Sequence, residues 1–214
     1  MFGMKDISQV QLIGCLNRRL KNEDLYALYS EGICNGLVFL AIEYFLLNKK
    51  DEFFKDLYHI IQLDDVSSFY LMLTRLLILF IPKQFSLDLT QFDAYQLLNP
   101  KPICHFRFGM VMTKKNWVKF FNQIHLRENE VMRIASINHV VMITKKDNQY
   151  YLYDPNNSAG EIQYSNAFGV VSGLSWSFDS YPLLTNKLAM TVHIFIPAHE
   201  PEISKIPSFL KIKN

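Results

Sequence analysis

Two short runs, Ile137-Asn138-His139-Val140-Val141-Met142-Ile143-Thr144 and Gln149-Tyr150-Tyr151-Leu152-Tyr153-Asp154, flank the polar residues Lys145-Lys146-Asp147-Asn148. The first run is β-branched and apolar. The second is aromatic and ends at Pro155, which cannot donate to a ladder. The pattern predicts a β-hairpin with a turn of four residues. Thr144 then pairs with Gln149. Counting back along both strands brings His139 directly opposite Asp154 on one face, their Cβ atoms roughly 4.5–5.5 Å apart. A slip of one residue would send the two side chains to opposite faces, so the expectation is sharp.

The chain before this hairpin reads as helical. Residues 7–20 form a moderately amphipathic pattern with Arg18, Arg19 and Lys21 near its C-terminal end, where the helix dipole favours cations. Residues 21–32 read as a polar connector or short helix. Residues 37–47 are apolar on nearly all sides, which predicts a central, buried helix. Residues 51–62 alternate charged and apolar positions at helical spacing. Asp64-Asp65 offers an N-cap for a helix over 66–80, closed by Pro82.

After residue 100 the pattern becomes β. Phe106, Phe108, Met110 and Met112 fall at every second position, which predicts one buried face. Asn116 can cap a short helix from Trp117 to Ile124, with Phe120 and Phe121 inward. Strands are expected at 131–135 and at 189–196, the latter ended by Pro197. The expected architecture is α+β: one domain over 1–197, with a helical part (1–100) packed on an antiparallel sheet from 101–197, followed by an arm at 198–214.

Composition narrows the function classes. Half of the 214 residues are hydrophobic, enough for a sizeable core, and the net charge of +2 leaves no electrostatic footprint for nucleic acid. The three cysteines, Cys15, Cys34 and Cys104, have no CxxC or Cys/His metal spacing. That favours a reducing compartment and suggests neither a zinc site nor a cofactor. The apolar runs 33–47 and 69–81 fall short of the roughly 20 residues a membrane span needs. The first residues lack the features of a secretory signal peptide.

Cys34 opens the apolar stretch in Glu31-Gly32-Ile33-Cys34-Asn35-Gly36-Leu37. A helix N-terminus and a nearby imidazolium both favour a thiolate. Gly32 and Gly36 leave room for a substrate backbone, and the free N–H groups of the first turn can bind an oxyanion. His139 would take the thiol proton and Asp154 would orient the imidazole. Other polar residues read as structural. Cys104 and His105, adjacent on a strand, should point to opposite faces, with Cys104 in or near the core. His193 reads as a strand residue with a satisfied partner, Cys15 as packing, and Trp176 as a loop residue anchoring the core in preference to lining a cleft.

The motifs Gly32-Ile33-Cys34-Asn35-Gly36-Leu37, Asn138-His139-Val140-Val141 and Tyr153-Asp154-Pro155-Asn156 with Gly160 resemble the papain-like cysteine proteases among bacterial effectors. They look like the YopT/AvrPphB-like group and similar Legionella-type secreted effectors. The resemblance covers residues 30–45 and 135–160. It implies a Cys–His–Asp site at Cys34, His139 and Asp154, translocation from the bacterial cytoplasm into a host cell, and cleavage of a host protein. The chain departs from the family in lacking a Gln or Asn shortly before the nucleophile, which leaves Ser30, Asn35 or backbone N–H groups as oxyanion donors. The same triad supports deamidation, transglutamination or acyl transfer. A degenerate fold that only binds a protein partner is the reading from a different class.

Overall fold

The apolar run after Ile33 forms a helix because every side of it finds other chain to pack against. In the computed structural model, which describes residues 7–20, 33–62, 102–136, 139–178 and 187–197, this helix is α2 (Cys34–Leu46). It is preceded by α1 (Gln9–Leu20) and followed by α3 (Lys50–Gln62). Its stretch from Gly36 to Tyr44 is buried throughout. A Schellman-type close ends it: Asn48 takes a left-handed φ of 58°, its N–H donates to the Phe45 carbonyl, and the Lys49 N–H reaches the Tyr44 carbonyl at 2.7 Å. The chain then reverses directly into α3. There Phe53, Leu57 and Ile60, at helical spacing, are buried, and the Asp56 carboxylate accepts the Tyr44 hydroxyl at 2.8 Å.

The remaining elements are β1 (Ile103–Thr113), α4 (Lys114–Gln123), β2 (Val131–Ala135), β3 (Val140–Lys146), β4 (Gln149–Tyr153), β5 (Glu161–Tyr164), α5 (Ala167–Phe178) and β6 (Lys187–Ile196). The six strands form one sheet in the order β1-β6-β2-β3-β4-β5, an α+β arrangement with helices concentrated early in the chain. One sheet face supplies Phe106, Met112, Met132, Ile134, Val141, Ile143, Val192 and Ile194 to a core closed by α4 and α5. Trp117 of α4 is fully buried and donates its indole N–H to the Leu188 carbonyl at 3.0 Å, so its one polar atom costs nothing to bury.

The chain divides into two compact units. One comprises residues 1–101 with 153–161, the other 102–152 with 162–214. The first contains α1, α2, α3 and the loop after β4. The second contains most of the sheet with α4 and α5.

Several local expectations are corrected. The hairpin turn is Asp147-Asn148 alone, with φ values of 50° and 59°, the two left-handed residues of a type I′ turn. Lys146, and not Thr144, therefore faces Gln149. His139 lies one residue before β3 and Asp154 one residue after β4, so the ladder does not pair them as expected. Helix α4 begins three residues earlier than expected, because the Thr113 hydroxyl accepts the Asn116 N–H at 3.3 Å and is the N-cap. On β1 a bulge between Cys104 and Phe106 inserts His105 as an extra residue. The alternation resets there, leaving Cys104 exposed while the His105 side chain turns inward. Trp176 lies on α5 and not in a loop, and it is 85% exposed. Met110 is also exposed. The helix expected over 66–80 and the arm at 198–214 lie outside the described residues.

Candidate active site

Cys34 is the first residue of α2, partly exposed, with Ile33 as the N-cap. Ile33 offers no capping side chain. Its carbonyl accepts the Leu37 N–H at 3.0 Å, the first bond of the helix. The N–H groups of Cys34, Asn35 and Gly36 precede that bond and have no acceptor within the helix. The thiol of Cys34 thus stands at the N-terminal end of a helix that is buried from Gly36 to Tyr44, where the helix dipole favours negative charge. Asn35, the next residue of the helix, is half-buried. Ser30, the other expected oxyanion donor, lies outside the described residues.

Asp154 stands in the same compact unit, at the head of a tightly bonded loop. Its N–H donates to the Gly160 carbonyl at 3.1 Å, and its carbonyl accepts the Asn157 N–H at 2.9 Å. Its Oδ1 accepts the Asn156 N–H at 2.8 Å, an Asx turn that fixes the carboxylate's orientation. Ala159 N–H donates to Asn157 Oδ1 at 2.8 Å, a second such turn in the same loop. The start of the described chain is sewn to this loop: Ile7 N–H to the Ser158 carbonyl at 3.0 Å, and Gln9 N–H to the Pro155 carbonyl at 2.6 Å.

Tyr153, the residue before Asp154, is fully buried, its ring edge-on to Phe53 at 5.4 Å and Phe54 at 5.8 Å. Its hydroxyl finds no hydrogen-bond partner among the described residues. Burial, then the charges of Asp154 and Cys34, push its ionisation far above the ordinary tyrosine range.

His139 belongs to the other unit. It is buried, its N–H donates to the Ser136 hydroxyl at 3.2 Å, and its ring packs edge-on to Phe178, the last residue of α5, at 6.0 Å. The Ser136 N–H returns to the His139 carbonyl at 2.8 Å, pinning the backbone before β3.

Sequence reasoning missed Gln9. This buried residue sits in α1, and its side-chain Oε1 accepts the Ile33 N–H at 2.8 Å while its Nε2 donates to Asn156 Oδ1. No motif flags it, because Gln9 and Ile33 are 24 positions apart and lie on different elements.

Two other histidines are structural. His193 Nδ1 lies 3.4 Å from an Arg133 guanidinium nitrogen, and burial, then Arg133 and Arg107, push its pKa down to about 3. It is held neutral as an acceptor. His105, 3.8 Å from the buried Glu130 carboxylate, is also pushed down by burial. Cys104 is exposed as a residue, but its sulfur is partly buried where it donates to the Phe106 carbonyl at 3.5 Å, and that burial is the main cause that pushes its pKa up. No group of three metal-ligating side chains occurs among the described residues, and no described helix is long and apolar enough to cross a membrane.

The α+β fold is similar to that of a solved cysteine protease-like domain. The backbone is similar to PatoxP, a cysteine protease-like domain of the Photorhabdus asymbiotica toxin PaTox, with a TM-score of 0.52 at 13% identity, over 91% of this chain and 53% of that one. The chain thus spans about half the length of that structure. The Pseudomonas avirulence protein AvrPphB aligns at a TM-score of 0.38 and 16% identity, over 77% of this chain and 91% of that one. No family model and no curated protein matches the sequence.

Proposed function

We propose that this chain is a papain-like thiol hydrolase that cleaves an amide bond in a host protein after translocation from a bacterium into the host cytosol. Cys34 is the nucleophile, His139 the general base and Asp154 the orienting acid, within one catalytic domain over residues 1–197. The supporting observation is that a thiol opens a buried helix in the same compact unit as a carboxylate fixed by its own loop.

In this reading the His139 imidazole takes the Cys34 proton as sulfur attacks the substrate carbonyl carbon. The oxyanion is met by first-turn N–H groups of α2, with Asn35 beside them. The imidazolium returns the proton to the leaving amine as the C–N bond breaks, leaving a thioester. A water molecule, deprotonated by the same imidazole, then releases the acid and the thiol. An amine attacking in place of water would give transamidation, and a glutamine side chain as substrate would give deamidation.

The test is proteome-wide mass spectrometry of a host-cell extract treated with the wild-type protein or with Cys34→Ser. New protein N-termini that depend on Cys34 support hydrolysis of the main chain. Cys34-dependent deamidation or amine incorporation without new N-termini replaces it by the alternative chemistry. No Cys34-dependent change on any protein contradicts catalysis and leaves a binding module.

A further inference from the structure

Gln9 has two distinct hydrogen-bonding tasks and one side chain able to perform both. Its Oε1 accepts from Ile33 N–H, the N-cap residue directly before Cys34. Its Nε2 donates to Asn156 Oδ1, and Asn156 in turn donates its own N–H to Asp154 Oδ1. An unbroken chain of hydrogen bonds therefore runs from the backbone entering α2 to the carboxylate of Asp154, all within one compact unit. The Gln9 N–H bond to Pro155 fixes where this side chain starts. Glutamate lacks the donor and methionine lacks both groups, so an amide of this length is what the two partners require.

We infer that Gln9 is a positioning residue of the site: its side-chain amide clamps the start of the nucleophile's helix to the acid-bearing turn. The inference rests on the assignment of Cys34 and Asp154 made above. Without the clamp, the Ile33 N–H loses its acceptor and the turn loses its tie to the helix, so thiol and carboxylate drift independently. Misplacement of reacting groups by about 1 Å costs up to about a hundredfold in rate.

The test is a double-mutant cycle on Gln9 and Asn156, read as the pH–rate curve for iodoacetamide alkylation of Cys34 in folded protein, beside the thermal midpoint. Asn156 is exposed, so Asn156→Ala is expected to fold. Gln9→Met removes the clamp. Gln9→Glu, which keeps an acceptor for Ile33, serves if too little of the methionine variant folds. We expect each single variant to slow Cys34 alkylation at pH 6 roughly tenfold, and to move the midpoint of the curve to higher pH. The double variant should be no slower than the worse single one within about twofold. Lower thermal midpoints with unchanged alkylation curves would reduce Gln9 to packing and overturn the inference. So would effects that multiply in the double variant. Failure of the catalytic reading shows elsewhere, as wild-type alkylation that ignores His139→Ala.

Discussion

Asp154 and Gly160 hold each other across the turn that follows β4: the Asp154 N–H meets the Gly160 carbonyl at 3.1 Å. Gly160 has a φ of +72°, and a Cβ built there would lie 2.8 Å from Ile7 Cδ1 and 3.1 Å from Phe54 Cε1. Gly160→Ala therefore faces both backbone strain and steric conflict. Urea unfolding should show a loss of about 1–3 kcal/mol. Undiminished stability would mean that the loop relaxes freely and does not brace the carboxylate.

Asp154→Asn keeps the size and the Asx acceptor of the side chain while removing its charge. Circular dichroism should stay native, and turnover on a Cys34-dependent substrate should fall by roughly two to four orders of magnitude. Full turnover would remove Asp154 from the mechanism.

His193 links stability to pH in unit two. Its folded pKa is pushed down to about 3, against an unfolded value of about 6.5. The unfolded chain binds the proton first, so stability is full above about pH 6.5 and falls as pH drops towards 3, by up to about 1.4 kcal/mol per unit. Denaturant unfolding at pH 7 and pH 4.5 should show this slope, and His193→Asn should flatten it. An equal slope in the variant would assign the acid sensitivity to other groups.

The two tryptophans should respond oppositely to truncation. Trp117 is fully buried among the aromatic rings of α4, and Trp176 is 85% exposed. Trp117→Ala should cost about 3–5 kcal/mol, and Trp176→Ala about 0.5 kcal/mol or less. A large loss at Trp176 in a chemical denaturation series would show that this face is covered.

Periodicity made most of the fold legible. The buried helix after Ile33, the amphipathic α3, β2 and β6 all follow from apolar spacing, since burial of one face is what those spacings encode. What escaped is set by single residues with special backbone geometry. Asp147 and Asn148 tolerate positive φ, which shortens the turn to two residues and moves the pairing of the hairpin. The His105 bulge reverses the exposure expected of Cys104. Helix α5 was hidden because Phe168, Trp176 and three serines break its apolar stripe. In the site, Cys34 and Asp154 were legible as a helix start and a Tyr-Asp-Pro-Asn turn. Gln9 was not, because long-range hydrogen bonds leave no periodic trace.

Activation of the Cys34 thiol by the His139 imidazole, as proposed, is tested by the second-order rate of iodoacetamide labelling at Cys34 in native protein at pH 6, wild type against His139→Ala. The account predicts that wild-type Cys34 labels faster than Cys104, and that the substitution removes this advantage by tenfold or more. Equal rates at Cys34 in the two proteins, or a Cys34 that labels only after denaturation, would contradict it.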